Sequence, residues 1–419
     1  RGKEFVGLSP FKNEKTPSFT VNDEKEFYHC FATGEHGNIF DFVMKTQNLR
    51  FGEAVKFLAS IAGMKPYTFS KQDEQQEKDW NIYKEIYKNY IEYFNNELIK
   101  NNNSKNAKTY SKNRGLKLKD VQNFKLGFVT NEVDFYDHLI KKFNKNDILN
   151  SGIFYLDEKK QKYINRFRER IIFPINNISG DTIAIGGRAI KENNFSAKYI
   201  NSPETQFFKK GSNLYNLDKT RRLSNKLDYV YLVEGYMDVI GLNRNNIENV
   251  VANLGTALTS RQVSILNQFF NKIIICFDGD ESGYKAAIRA AENSIIELKP
   301  EKQIMFLFLP DSHDPDSYVS KIGKEKFLEF SIQNEIEIHK FIFNHYYNKL
   351  DDNPSSKAIF EKKIKLIAST IKDEYIKKYV LDYYLEELSK LSPNLNERVK
   401  YNKKINARSL KSTQKFFNE

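Results

Sequence analysis

Cysteine is almost missing from this chain, with Cys30 and Cys276 the only two in 419 residues. They lie far apart and in different predicted units, which excludes a disulfide-stapled scaffold and favours a reduced, cytoplasmic protein. Long apolar runs are missing too. No stretch approaches the ~18 apolar residues of a membrane span, and no signal-peptide pattern opens the chain. Arg1-Gly2-Lys3 reads as the middle of a longer protein. Acidic residues fall short of basic ones, 54 Asp and Glu against 66 Lys and Arg, so the formal net charge is +12 and a polyanionic partner is expected. A chain generally rich in Lys and Asn accounts for part of that excess but not for its position. Lys105, Lys108, Lys112, Arg114, Lys117, Lys119 and Lys125 follow one another with Asp120 as the one acid among them.

What is present is organised between Asp228 and Tyr318. The apolar runs Tyr229–Val233, Val250–Ala252, Lys272–Phe277 and Gln303–Leu309 are short, rich in β-branched and aromatic residues, and separated by segments long enough for crossover helices. This alternation predicts a parallel sheet buried on both faces, with every strand's carboxyl end on one edge, where ligands bind. The runs end in Val233-Glu234-Gly235, Phe277-Asp278-Gly279-Asp280 and, past Pro310, Asp314-Pro315-Asp316. Taken singly, each acid reads as a helix cap or turn residue, Asp280 before the helix from Glu281 above all. As a set, Glu234, Asp278, Asp280, Asp314 and Asp316 converge on one rim, where they repel one another unless cations neutralise them. Hard oxygen donors on a rigid edge favour Mg²⁺, or Mn²⁺, shared with substrate phosphates. Gly235 and Gly279 are expected to let the backbone turn and a phosphate approach.

Leu232-Val-Glu-Gly-Tyr-Met-Asp238 and the run Phe277-Asp-Gly-Asp-Glu-Ser-Gly-Tyr-Lys-Ala-Ala-Ile-Arg-Ala290 resemble the motifs of the TOPRIM domain, which primases share with topoisomerases and some nucleases. The N-terminal text narrows the choice. Leu8-Ser-Pro-Phe-Lys-Asn-Glu-Lys-Thr-Pro-Ser-Phe19 and Phe27-Tyr-His-Cys-Phe-Ala-Thr-Gly-Glu-His-Gly-Asn38 resemble the zinc ribbon of bacterial DnaG-type primases. In that family a Cys/His pair and a Cys/Cys pair hold a structural zinc. Here the positions read Ser9, Lys12, Cys30 and Thr33, and one thiolate with a lysine does not hold zinc. His29 and His36 have no spacing that completes a tetrahedral set with Cys30. The ribbon is expected to rest on Phe11, Phe19, Phe27, Tyr28 and Phe31 packing together, and to be marginal alone.

Further matches lie at Tyr110-Ser-Lys-Asn-Arg-Gly-Leu116, Phe124-Lys-Leu-Gly-Phe128, Tyr163–Ile175, Lys198-Tyr-Ile-Asn-Ser-Pro-Glu-Thr205 and Phe208-Lys-Lys-Gly-Ser-Asn-Leu-Tyr215. The resemblance implies that Arg114 and Arg188 belong to a basic ridge tracking single-stranded template. It also implies that Lys198, Asn201 and Lys210 bind incoming nucleotide, and that Asp278, Asp280, Asp314 and Asp316 are metal ligands, with Glu234 a ligand or a general base. Among interleaved aromatics, Tyr163, Phe167, Tyr199, Phe207 and Phe208 divide between base stacking and core. His313, where the family has lysine, reads as a surface loop residue.

The expected fold class is α/β, an α+β multidomain chain. Its parts are a zinc-ribbon-like unit over 1–66, a polar linker over 67–79, the N-terminal part of a primase catalytic core over 80–217, a TOPRIM domain over 218–322, a helical bundle over 323–395 and a basic tail over 396–419. A helix is predicted near Trp80 to Lys100 with Ile82, Ile86, Tyr90 and Phe94 on one face. The implied activity is DNA-templated synthesis of RNA primers from ribonucleoside triphosphates on single-stranded DNA. A replicative helicase is the family's partner, although nothing long enough for its docking domain follows the bundle. Another TOPRIM enzyme, a topoisomerase or nuclease, or a non-catalytic single-strand-binding module remain the alternatives.

Overall fold

Alternation at the start of the chain closes Glu4–Gly7, Phe19–Asn22, Phe27–Cys30 and His36–Gly37 into an antiparallel sheet in that order. The computed structural model describes residues 4–47, 49, 51–64, 71–100, 104–131, 135–191, 197–255, 257–310 and 313–391. Two compact units divide the chain at Leu223 and Ser224.

In the first unit, Phe11, Phe19, Tyr28 and Phe42 form one ring cluster, with centroids 5.4 to 6.1 Å apart. Phe42 comes from the helix Ile39–Thr46, which Asn38 caps by accepting from the Phe40 and Asp41 amides. The expected membership of this cluster is corrected in two places. Strand alternation puts Tyr28 and Cys30 inside and sends their neighbours to the other face. Phe27 therefore lies against His36 and beneath the Arg221 guanidinium, and Phe31 is exposed beside His29.

A helix runs from Lys71 to Lys100, so most of the predicted linker is helical; residues 67–70 of it lie outside the described residues. Its buried stripe is Tyr83, Ile86, Tyr87, Tyr90, Ile91, Phe94 and Leu98, with Ile82 at the margin. Three- and four-residue steps hold one face over this length where steps of four alone drift off it. The tyrosines bury their rings and still find partners for their hydroxyls: Tyr83 donates to the Ile183 carbonyl at 2.7 Å, Tyr87 to Ser151 at 2.8 Å and Tyr90 to Asn165 at 3.0 Å. The stripe packs on an antiparallel sheet ordered Tyr199–Asn201, Thr182–Ala189, Arg170–Asn176, Gly127–Val129. Gly127 is glycine because a Cβ would meet the Phe94 backbone at 2.8 Å.

In the second unit, Tyr229–Val233, Val250–Ala252, Lys272–Phe277 and Gln303–Phe308 form the predicted parallel sheet. Their order is Val250, Tyr229, Lys272, Gln303, followed by an antiparallel edge, Ile336–Glu337. Crossover helices Tyr236–Arg244, Ser260–Asn267 and Glu281–Ser294 connect them. The edge strand leads directly into a helix. The helix that follows, Ile338–Tyr347, lays Phe341 on Phe306 and Phe308 at 4.8 and 5.2 Å, so it covers the sheet. Its Phe343 meets Phe360 and Tyr384 of the helices Pro354–Ser369 and Glu374–Leu391 at 5.3 and 5.8 Å. The predicted tail over 396–419 lies outside the described residues. No helix among them is long and apolar enough to cross a membrane.

Candidate active site

The carboxyl ends of three strands deliver the acids. Glu234 follows Tyr229–Val233, Asp278 follows Lys272–Phe277, and Asp314 starts the helix Pro315–Ile322 beyond the Gln303–Phe308 strand. Their charges act on one another. Burial first, then Glu234, Asp314 and Asp280, push the Asp278 carboxyl up to about 7. Glu234 is also raised, by loss of water and by Asp280, against a hydrogen bond from the Asp278 backbone. Oδ1 of Asp278 is buried without a hydrogen-bond partner. A buried, unsatisfied carboxylate oxygen among like charges is an acceptor waiting for a cation.

The other predicted acids have local work. Asp280 caps the helix Glu281–Ser294, its Oδ1 accepting from the Gly283 amide at 2.6 Å, and Asp314 caps Pro315–Ile322, its Oδ1 accepting from the Ser317 amide at 2.7 Å. Asp316 is paired with Arg244 at 2.6 Å. Among the described residues no group of three or more His, Cys, Asp or Glu side chains is placed to hold a metal ion. A cap uses one oxygen of a carboxylate and leaves the second uncommitted, so Asp280 and Asp314, like Asp278, keep an oxygen of the hard type that divalent cations take. His313 sits in the loop with Nδ1 3.3 Å from Ser317 Oγ and Nε2 3.2 Å from Lys321 Nζ.

Asp238 escaped the sequence reading. It stands at the third position of its helix and accepts from the Gly235 amide at 3.0 Å, which is a cap signature and hides its second role. Burial, then Asp278, Asp314 and Asp316, raise its carboxyl well above the usual range, which places it in the same acidic field. Its position in the Glu-Gly-Tyr-Met-Asp text was the available signal. The glycines act differently from expectation. Gly235 is extended at φ −136° and Gly279 is not among the residues of positive φ, so neither makes a left-handed turn. Gly279 is needed for close approach, since a Cβ would meet the Leu309 and Pro310 carbonyl oxygens at 2.4 Å. A cavity of about 310 Å³ opens beside Glu234, with Asn253 and Arg289 in its lining.

In the first unit the structure brings Arg114 and Arg188 to one ring. Their guanidinium carbons lie 5.9 and 5.6 Å from the Tyr110 centroid, and Arg188 also covers Tyr199 at 4.9 Å while donating to its hydroxyl. Arg114 is exposed, whereas Arg188 is 4% exposed, so only the first of the two lies at the surface. Lys105, Lys112, Lys117, Lys119 and Lys125 are exposed as well. Lys198 precedes and Asn201 ends the strand Tyr199–Asn201, where Arg170 braces the Lys198 carbonyl at 3.1 Å. Lys210 opens a short 3₁₀ turn held by Glu204, which accepts from its amide at 3.0 Å. Of the interleaved aromatics, Phe167 and Phe208 are fully buried core, Phe207 packs on Trp80 and Tyr83, and Tyr163 stacks on Tyr136 at 4.5 Å. Tyr199, 38% exposed, is the one left facing solvent.

The ribbon positions Ser9, Cys30 and Thr33 do meet, through hydrogen bonds. Ser9 Oγ lies 3.1 Å from Cys30 Sγ. Burial opposes ionisation of this thiol, but hydrogen bonds from Ser9 and Thr33 and from the Thr33 and Ala32 backbone bring it down to about 7. Lys12 is exposed. This donor set does not fit zinc.

Three family profiles match the chain: a CHC2 zinc finger over residues 1–76, the N-terminal domain of the DNA primase catalytic core over 93–221, and a Toprim domain over 228–307. The chain is 36% identical to a DNA primase of Haemophilus influenzae over 84% of its own length and 59% of that protein's. It is 34% identical to the DNA primase of Escherichia coli K12 over 95% of its own length and 69% of the other's. It thus spans less than two thirds of the first of these relatives. A solved DNA primase domain from Pseudomonas aeruginosa superposes with a TM-score of 0.68 at 32% identity, covering 74% of this chain and 96% of that one.

Proposed function

This chain belongs to the DNA primase family, and from that premise we propose that it synthesises short RNA primers on single-stranded DNA by metal-dependent nucleotidyl transfer. The observation that carries the reading is the buried, unpartnered oxygen of Asp278 facing the charges of Glu234, Asp280 and Asp314 at the rim of the parallel sheet.

The reaction joins a 3′-hydroxyl to the α-phosphorus of a ribonucleoside triphosphate, with pyrophosphate leaving and the hydroxyl proton lost. Divalent cations, Mg²⁺ or Mn²⁺, supply Lewis acidity for both ends of such a displacement when bound. Asp278 and Glu234 are the primary oxygen donors, with the uncapping oxygens of Asp280 and Asp314 beside them. Asp238 braces the first loop by accepting from the Gly235 amide, and Asp316, paired with Arg244, orients the third loop. Glu234 serves as donor or as proton acceptor. Lys198 and Lys210 neutralise the triphosphate and Asn201 donates to its oxygens, an electrostatic and positional role. Arg114 and its neighbouring lysines hold template phosphates, and Arg188, clamped between Tyr110 and Tyr199, aligns that face.

The test is incorporation of labelled ribonucleotides on single-stranded template, with and without a chelator. Template-dependent RNA that disappears on chelation supports the reading. Relaxation or cutting of supercoiled DNA without primer formation points to another TOPRIM chemistry, and template binding without synthesis to a binding module.

A further inference from the structure

We propose that the N-terminal ribbon of this chain folds without a metal ion, with the Glu14 carboxylate and the Ser9–Cys30 contact making the cross-link that zinc makes in a CHC2 zinc finger.

The loop after the first strand is tied by one side chain. Glu14 accepts from the Ser9 amide at 2.8 Å, from the Ser18 amide at 3.1 Å and from Ser18 Oγ at 2.7 Å. Ser9 Oγ accepts from the Phe11 amide at 3.1 Å and reaches Cys30 Sγ at 3.1 Å, while Ser18 Oγ lies 3.9 Å from the same sulfur. The segment holding Ser9 and Lys12 is therefore joined to the turn holding Cys30 and Thr33, the same two segments that four zinc ligands would join. Beneath the clip lies the cluster of Phe11, Phe19, Tyr28 and Phe42. A small sheet unit needs some staple beyond its core, and a charged acceptor with several donors is a strong one.

Zinc has no competing place here. A structural zinc takes a tetrahedral set of thiolates and imidazoles; these positions offer one thiol, two hydroxyls and an ammonium, and the nearby Glu14 carboxylate is committed to Ser9 and Ser18. Lys12 instead helps hold the Glu14 carboxyl below its ordinary range, behind the Ser18 hydroxyl that contributes most. The nearby histidines are on the wrong face. His29 alternates with Cys30 on its strand and pairs across the ladder with His36, whose Nδ1 is 2.9 Å from the Gly34 carbonyl. Of the other acids, Asp41 caps the Asn38 amide at 2.9 Å and Glu35 is paired with Lys45.

The experiment uses the whole chain, purified without added metal. Elemental analysis should find far less than one zinc per chain, and a zinc-selective chelator should leave amide exchange in Phe19–Asn22 and Phe27–Cys30 unchanged. Glu14→Ala should speed exchange in those strands at least about tenfold, the loss expected of a multiply hydrogen-bonded charge. The combined Ser9→Cys, Lys12→His and Thr33→Cys variant should take up about one zinc per chain, because its four donors complete a Cys₃His set. Stoichiometric zinc in the unsubstituted chain, or loosening of its strands by the chelator, overturns the proposal. So does unchanged exchange in Glu14→Ala, or a triple variant that takes up no zinc, since either outcome denies that these segments meet as described.

Discussion

The Gly279 amide donates to the His313 carbonyl at 3.3 Å, which ties the loop carrying Asp278 to the loop carrying Asp314. The two acids act on each other because these loops are in backbone contact. With a Cβ meeting carbonyl oxygens at 2.4 Å, Gly279→Ala forces the loops apart. A displacement of about 1 Å at such a centre lowers turnover by about 10²-fold. Steady-state primer synthesis should show that loss in kcat, with single-strand affinity kept. Unchanged kcat would mean the two loops need not touch.

Asp316 and Asp278 should separate in their effects. Asp316 has Arg244 as its partner at 2.6 Å, while an oxygen of Asp278 has none. Asp316→Asn is expected to reduce kcat by about 10-fold, as a positioning change, against a loss of about 10³-fold or more for Asp278→Asn. Calorimetric titration with Mn²⁺ checks the cause, since only the second variant should weaken ion binding strongly. Equal losses of Mn²⁺ affinity would make Asp316 a ligand.

The parallel sheet was legible in the sequence because strands buried on both faces read as unbroken apolar runs, and Tyr229–Val233 to Gln303–Phe308 do so. Glu234 and Asp278 were legible because each stands directly after such a run. Asp238 was not, since a helix-capping acid and a site acid carry the same letter at the same spacing. Phe27 and Phe31 fall outside the ribbon core, and Phe42 joins it from the following helix, because composition does not say which face a residue takes until the strand register is fixed. The helix from Lys71 was hidden by polar first turns that bury nothing, and the Ile336–Glu337 edge by its two-residue length.

Template binding should depend on Arg114 and Arg188 in different ways. Arg114 is exposed, so Arg114→Ala is expected to weaken single-strand binding several-fold and flatten its log–log salt dependence by about 0.7. Arg188 is buried between Tyr110 and Tyr199, so Arg188→Ala should also lower the melting temperature. Fluorescence anisotropy over a salt series, with a thermal melt of each variant, distinguishes them. A salt slope untouched by Arg114→Ala would remove it from the template face.

The raised Asp278 carboxyl sets a pH dependence for the metal-free chain. With a native value of about 7 against the ordinary 3.8, the folded state binds the proton more tightly than the unfolded one. Its contribution to stability is therefore greatest at low pH and falls as pH rises from about 4 to 7. Added Mn²⁺ should restore stability above pH 7 and have little effect near pH 5, where the proton competes. Melting curves across that range check the sign. Stabilisation by Mn²⁺ that is equal at both ends would place the ion away from Asp278.

The most direct measurement pairs dinucleotide synthesis with template binding for the unsubstituted chain and Asp278→Ala, at saturating ribonucleotides and Mg²⁺. The account predicts that the substitution abolishes synthesis while single-strand affinity stays within about twofold, because Asp278 supplies charge to the chemistry and none to the template face. Primer formation by Asp278→Ala at an undiminished rate would contradict it.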